Sequence, residues 1–167
     1  MLFRSIQKAR SSIGLSNSWY FDWSKNLSSL LKQYKPHLVV AMFGANDHQT
    51  MTLGGGVANF GSTAWTKVYN AKIKQIVQQS TAAGAYVAWV KLPVMSPPKY
   101  RKGMQTLNSY YDSVVPTLPG TALVSTWDYF ADGAGRYRES VKVNGAVTKI
   151  RGDDGIHFST VGQIGRA

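Results

Sequence analysis

The sequence predicts an α/β fold built on an open, parallel sheet. Three observations carry the prediction. "HLVVAMF" and "AYVAWVKLP" are short unbroken apolar runs, the mark of strands buried on both faces. A long amphipathic segment lies between them. A further helix and a third strand follow, so strand and helix alternate along the chain as in open parallel sheets. The single alternation, without internal repeat, linker or second set of elements, predicts one domain over residues 1–167.

The elements follow in order. The run after Pro36 predicts a fully buried strand over 38–43, stopped at Gly44. "TLGGGVANFGST" reads as a Gly-rich flexible loop, and its "GGG" has neither the Lys nor the preceding strand of a phosphate-binding loop. Ser62 or Thr63 caps a helix over about 64–83. There Trp65, Val68, Tyr69, Ile73, Ile76 and Val77 recur at three- and four-residue steps, Lys67, Lys72, Lys74, Gln75 and Gln78 fill the other face, and Gly84 closes the last turn. A second buried strand spans 85–93 and ends at Pro93. A basic Pro-rich loop leads to a helix over about 103–115, and "TALVSTWDYF" gives a third strand with an exit loop. "RYRESVKVNGAVTKIR" predicts a hairpin turning at Asn144-Gly145, the strongest short hairpin signal. "STVGQIGRA" starts as a helix capped by Ser159 or Thr160 and stops almost at once. "YFDW" (20–23) reads as a packing corner, and "RGD" (151–153) as accidental.

Composition narrows the function classes. Hydrophobic residues make up 44% and charged residues 16%, a globular balance. No apolar run is long enough for a membrane span, and the first residues lack an apolar signal core. The absence of cysteine excludes disulfides, thiolate catalysis and Cys metal sites, and suits a cytosolic or a periplasmic address alike. A net charge of +11 and a pI near 10.0 favour anionic partners, whether nucleic acid, anionic lipid or acidic cell-wall polymer. The cations are scattered: the densest group, "KYRKG", holds three, with no zinc-finger spacing or aromatic RNA-binding signature. Specific nucleic-acid recognition is therefore not expected.

Three histidines are candidates for proton transfer. His37 stands before a strand and belongs on the surface; His48 follows Asp47 in a loop. His157 differs, because Asp154 stands three residues earlier in "DGIH". In a tight turn that carboxylate can accept from the ring Nδ1–H, fix the tautomer and leave Nε2 as a base. Asp and Gly also form ordinary turns, so spacing alone leaves both readings open. Asn46, directly after a strand, can aim a neutral amide at a developing oxyanion, or simply cap its loop. Asp47 beside it can hold the loop by accepting backbone N–H groups. Gly14, in "SSIGLS", permits a ligand to approach the backbone N–H, or makes a plain turn.

Taken in order, "SSIGLSNSWYFDW", "MFGANDHQ", "WVKLPVM" and "DGIHFSTVG" resemble the SGNH (GDSL-type) hydrolase superfamily, and within it a bacterial envelope branch of formerly unknown function related to polysaccharide and peptidoglycan O-acetyl esterases. The resemblance implies a three-layer α/β/α sandwich with a parallel sheet, flavodoxin-like in outline. It implies that Gly14, through its N–H, and Asn46, through its side chain, form the oxyanion hole, and that Asp154 and His157 are acid and base. No metal or organic cofactor is implied. The family's Gly-Asp-Ser block has no match: Ser5, Ser11 and Ser12 lie too close to Gly14 and follow no strand, and there is no G-x-S-x-G elbow. The first strand and the last helix are accordingly expected to be truncated, with sheet edges left to pair with another copy.

The expected function is that of a serine esterase body, hydrolysing or transferring an acyl group, in the first place acetyl, on a carbohydrate or cell-wall polymer. The chain alone is expected to be inactive for want of the serine. The resemblance places it in the periplasm or outside the cell. The alternatives are a non-catalytic glycan-binding module and, further off, a basic protein associated with nucleic acid.

Overall fold

A computed structural model describes residues 5–10 and 12–164. In chain order the elements are α1 (Trp23–Tyr34), β1 (Leu38–Ala41), β2 (Met51–Leu53), β3 (Gly56–Ala58), α2 (Thr63–Ala82), β4 (Tyr86–Val90), α3 (Pro98–Val114), β5 (Thr121–Val124), α4 (Trp127–Phe130), β6 (Ser140–Val143), β7 (Ala146–Lys149) and α5 (Thr160–Ile164). The central sheet is parallel, in the order β1-β4-β5, with Val40 beside Ala88 and Trp89 beside Leu123. The mixed α/β class with a parallel sheet is as the sequence predicts.

The periodic segment becomes α2, with Ser62 accepting the Trp65 N–H at its start and Trp65, Tyr69, Ile73, Ile76 and Val77 buried. This helix packs on β4, and α1 and α3 flank it. Trp65 stacks on Tyr69 at 4.5 Å, Tyr69 lies 6.4 Å from Tyr111, and Tyr111 lies 5.4 Å from Trp89 of the sheet. This run of aromatic rings welds the helical layer to the sheet, since ring pairs add to the area they bury.

Four expectations need correction. The strand after Pro36 is not fully buried: Val40 is 64% exposed, and Leu38 is exposed too. Registered partners share a face, and only the face of Ala41, Val87 and Trp89 meets the helices. On the other face Tyr86 is 70% exposed, and Leu38, Val40 and Val124 stand with it, uncovered by any described element. The Gly-rich segment is not a loop but the antiparallel hairpin β2–β3, because Gly54 and Gly55 supply its tight turn. α3 starts at Pro98, since Pro is suited to the first helical turn where no N–H bond is required. The "YFDW" corner is the start of α1: the Asp22 carboxylate accepts the N–H groups of Ser24 and Lys25, and Leu27 and Leu31 are buried one turn apart.

The exit loop expected after the third strand contains the short helix α4, whereas the later turn and the last helix start as the sequence predicts. Asn144 (φ +51°) and Gly145 (φ +83°) form the expected turn between β6 and β7. The Ser159 hydroxyl accepts the Gly162 N–H at the start of α5. A second apolar cluster of Val94, Phe130, Ala131 and Ile150, with Tyr137 and Phe158 against it, supports the turn that follows β7.

Candidate active site

The loops after β1 and β4 leave the same edge of the sheet, beyond its carboxyl ends, where ligands of open α/β sheets bind. The first carries "GAND" and the second Lys91–Ser96. The Asp154–His157 turn docks on the second: the Ser96 N–H donates to the Gly155 carbonyl at 3.0 Å. Gly155 sits at φ +66°, and a Cβ there would meet the Ser96 Cβ at 2.4 Å, so only glycine allows this approach.

The two carboxylate oxygens of Asp154 in "DGIH" make separate sets of contacts. Asp154 Oδ1 accepts the Ile156 and His157 N–H groups at 2.9 and 3.0 Å, which is ordinary turn chemistry. Asp154 Oδ2 meets His157 Nδ1 at 2.5 Å. The ring contact first, and the two backbone donors after it, hold the Asp154 carboxyl well below the usual carboxylate range. The His157 side chain is 82% exposed, and its Nε2 makes no hydrogen bond among the described residues. An imidazole so held can take a proton at Nε2 while the carboxylate stabilises the resulting cation.

The other loop is organised by Asp47, which is fully buried. Its carboxyl accepts the Ser16 N–H at 2.7 Å and the Tyr69 hydroxyl at 2.8 Å. With the Tyr69 proton on Asp47, the Tyr111 hydroxyl lies 2.9 Å from both the Tyr69 oxygen and the Phe43 carbonyl, and its single proton is shared between these two acceptors. Burial, with the Asp47 charge beside them, pushes both phenols well above their ordinary range, so they stay protonated as donors. The need for glycine at position 14 is explained here: a Cβ would lie 2.0 Å from Asp47 Oδ1. Asp47 therefore ties the Gly14 turn to the "GAND" loop, as its sequence position allowed.

Asn46 is exposed and its side chain makes no hydrogen bond among the described residues, whereas its carbonyl accepts from the Gln49 amide. It is thus not the loop cap of the alternative reading. The structure joins Asp154 to His157, and Gly14 to the Asn46 loop. No hydrogen bond or ring contact among the described residues joins His157 to Asn46. The small crevice lined by Gly14, Ser18, Asp22 and Lys72 includes neither of them.

His37 is exposed, as expected. His48 is a packing residue: its ring lies 4.5 Å from Tyr100, and a Cβ on Gly103 would touch it. Burial, then the Lys99 charge, lowers its pKa, which disfavours the charged form. Of the serines before Gly14, Ser5 and Ser12 are exposed, and Ser11 lies outside the described residues. Among the described residues no cluster of His, Asp or Glu could hold a metal ion, and no helix is long and apolar enough to cross a membrane.

A family model described as protein of unknown function (DUF459) matches residues 2–165. No curated protein matches the sequence. Among solved structures, a carbohydrate esterase family 3 protein from Talaromyces cellulolyticus superposes with a TM-score of 0.57 at 16% identity, over 92% of this chain and 62% of its own. An acetyl esterase mutant with acetate ion superposes with a TM-score of 0.56 at 16% identity, again over 92% of this chain and 62% of its own. The chain thus spans 62% of the length of each. At such identities the likeness is one of fold: the chain has the α/β architecture of these esterases, in keeping with the SGNH resemblance.

Proposed function

The chain belongs to the family described as protein of unknown function (DUF459), and from that footing we propose that it is the body of a serine-type esterase acting on O-acyl groups, in the first place O-acetyl, of a carbohydrate or cell-wall polymer. The observation that carries the reading is the 2.5 Å contact between Asp154 Oδ2 and His157 Nδ1, with the far side of the ring open to solvent. The esterase fold of the solved neighbours and the position of "GAND" after β1 support it.

In this scheme a serine hydroxyl attacks the acyl carbon while His157 Nε2 takes its proton. The Asn46 amide and the Gly14 N–H donate to the oxyanion. His157 then protonates the departing sugar oxygen, and water hydrolyses the acyl-serine by the same path. Charge on the ring is balanced at each step by Asp154. A carbohydrate substrate of this kind sets the proposed place of action in the periplasm or outside the cell, as a single domain over residues 1–167.

The experiment uses the natural gene product. It should hydrolyse p-nitrophenyl acetate, and a fluorophosphonate should label one serine, which mass spectrometry then locates. His157→Ala should abolish both. Labelling and hydrolysis that survive His157→Ala refute the reading. A second reading, a glycan-binding module without catalysis, is favoured by one observation: no described serine bonds to the His157 ring. Retention on acetylated glycan, with no labelled serine, would select it.

A further inference from the structure

We infer that Arg151 is a positioning residue: its buried guanidinium clamps the two peptide planes before His157 and so keeps the ring aimed along the Asp154 carboxylate. The inference rests on the acid–base role proposed above for Asp154 and His157.

Arg151 is fully buried, and no carboxylate pairs with it among the described residues. Burial of an unpaired cation is costly, so the site must return something specific. Three aromatic rings face the guanidinium, Phe158 at 5.0 Å, Tyr137 at 5.3 Å and Phe130 at 5.7 Å. A hydrocarbon side chain would fill that cage at no electrostatic cost. What it could not do is donate. Arg151 donates to the Val94 carbonyl at 2.9 Å, to the Ile156 carbonyl at 2.8 Å and to the Gly155 carbonyl at 3.2 Å.

The last two bonds fall on peptide groups already held from the other side. In the Gly155–Ile156 peptide, Arg151 holds the C=O and Asp154 Oδ1 holds the N–H. In the Ile156–His157 peptide, Arg151 again holds the C=O and Asp154 Oδ1 the N–H. Each plane is fixed at both ends, and the Val94 bond anchors the pair to the loop after β4. The guanidinium's planar fork spans three acceptors at once, which a lysine ammonium on its flexible stem does not reproduce. The dihedrals leading into His157 therefore have little freedom, and Nδ1 stays on Oδ2.

The test uses the ¹⁵N-labelled 167-residue chain as wild type, Arg151→Met and Arg151→Lys. Arg151→Met should keep the fold, because a thioether suits an aromatic cage. Arg151→Lys keeps the charge. Long-range ¹H–¹⁵N correlations report the His157 tautomer at a pH where the ring is neutral, with Asp154→Ala as the released reference. Amide exchange is read at Ile156 and His157, and at Val87 and Trp89 in the sheet. The wild type should hold the Nδ1–H form. Both Arg151 variants should move to the reference mixture, with exchange at Ile156 and His157 about ten-fold faster or more and the sheet amides unchanged. Retention of the Nδ1–H form in both variants overturns the inference. So does equal acceleration at all four amides, which would make Arg151 a contributor to stability alone. Neither readout needs ester hydrolysis, so the serine-labelling result can fail while the clamp stands, and the reverse.

Discussion

Gly14→Ala provides the sharpest probe of the site's architecture. The added Cβ would fall 2.0 Å from Asp47 Oδ1, against a floor of about 3.0 Å for real contacts, so something must move by roughly 1 Å. The carboxyl cannot yield cheaply. A retreat of that size stretches the Ser16 N–H bond from 2.7 Å to about 3.7 Å, which is no longer a hydrogen bond. A bond to a charged group contributes about 1.5–3 kcal/mol, and forced overpacking costs about 1–3 kcal/mol. Together they give about 2.5–6 kcal/mol, a large share of the roughly 5–15 kcal/mol of a typical domain. Urea unfolding followed by tryptophan fluorescence should show that drop in midpoint. A double-mutant cycle with Asp47→Ala isolates the cause, because removing the carboxyl makes room for the methyl. Gly14→Ala should then cost little in the Asp47→Ala background. If Gly14→Ala is nearly neutral alone, or if the two losses simply add, the clamp between the loops is wrong.

Asn46→Ala should leave the unfolding midpoint unchanged, since the side chain is exposed and bonds to nothing described, yet lower kcat of the natural gene product about 10²- to 10³-fold; an unchanged rate removes Asn46 from the oxyanion hole. Asp154 has a folded pKa below its unfolded value near 3.9, so its stabilisation is complete above the unfolded value and fades as pH falls through the lower, folded one. Urea midpoints of wild type and Asp154→Asn should therefore differ from about pH 5 to 7 and converge only in stronger acid, and a gap that stays constant with pH contradicts the pairing. The sheet face and the β1 edge that no described element covers predict self-association in sedimentation velocity at rising concentration, weakened by Val40→Lys; a concentration-independent monomer would count against it.

The sequence revealed whatever rests on local periodicity or on turn chemistry. α2 was visible because six apolar residues keep helical spacing, and the β6–β7 turn because Asn-Gly permits two positive φ angles in succession. The Asp154–His157 pair was visible as a spacing, though not that its two oxygens divide the work. α1 was hidden because aromatic clustering at "WYFDW" masked the capping role of Asp22. The bare sheet face was hidden because an apolar run has the same appearance whether one face or both are covered. Arg151 left no local trace at all. Its partners come from Val94, from residues four and five places on, and from rings at Phe130 and Tyr137, so only the folded chain assembles them.

Among the described residues, the grip on the imidazole turn contains no ion pair on the arginine side. Dissolved salt weakens the attraction between exposed charges, but it has little purchase on carbonyl dipoles and ring faces packed round a shielded guanidinium. Acid titrates carboxylates, and carbonyls offer it nothing to titrate. The arginine side of the grip thus tolerates brine and moderate acidity, and salt acts instead on the exposed Asp154–His157 contact at the other side of the turn.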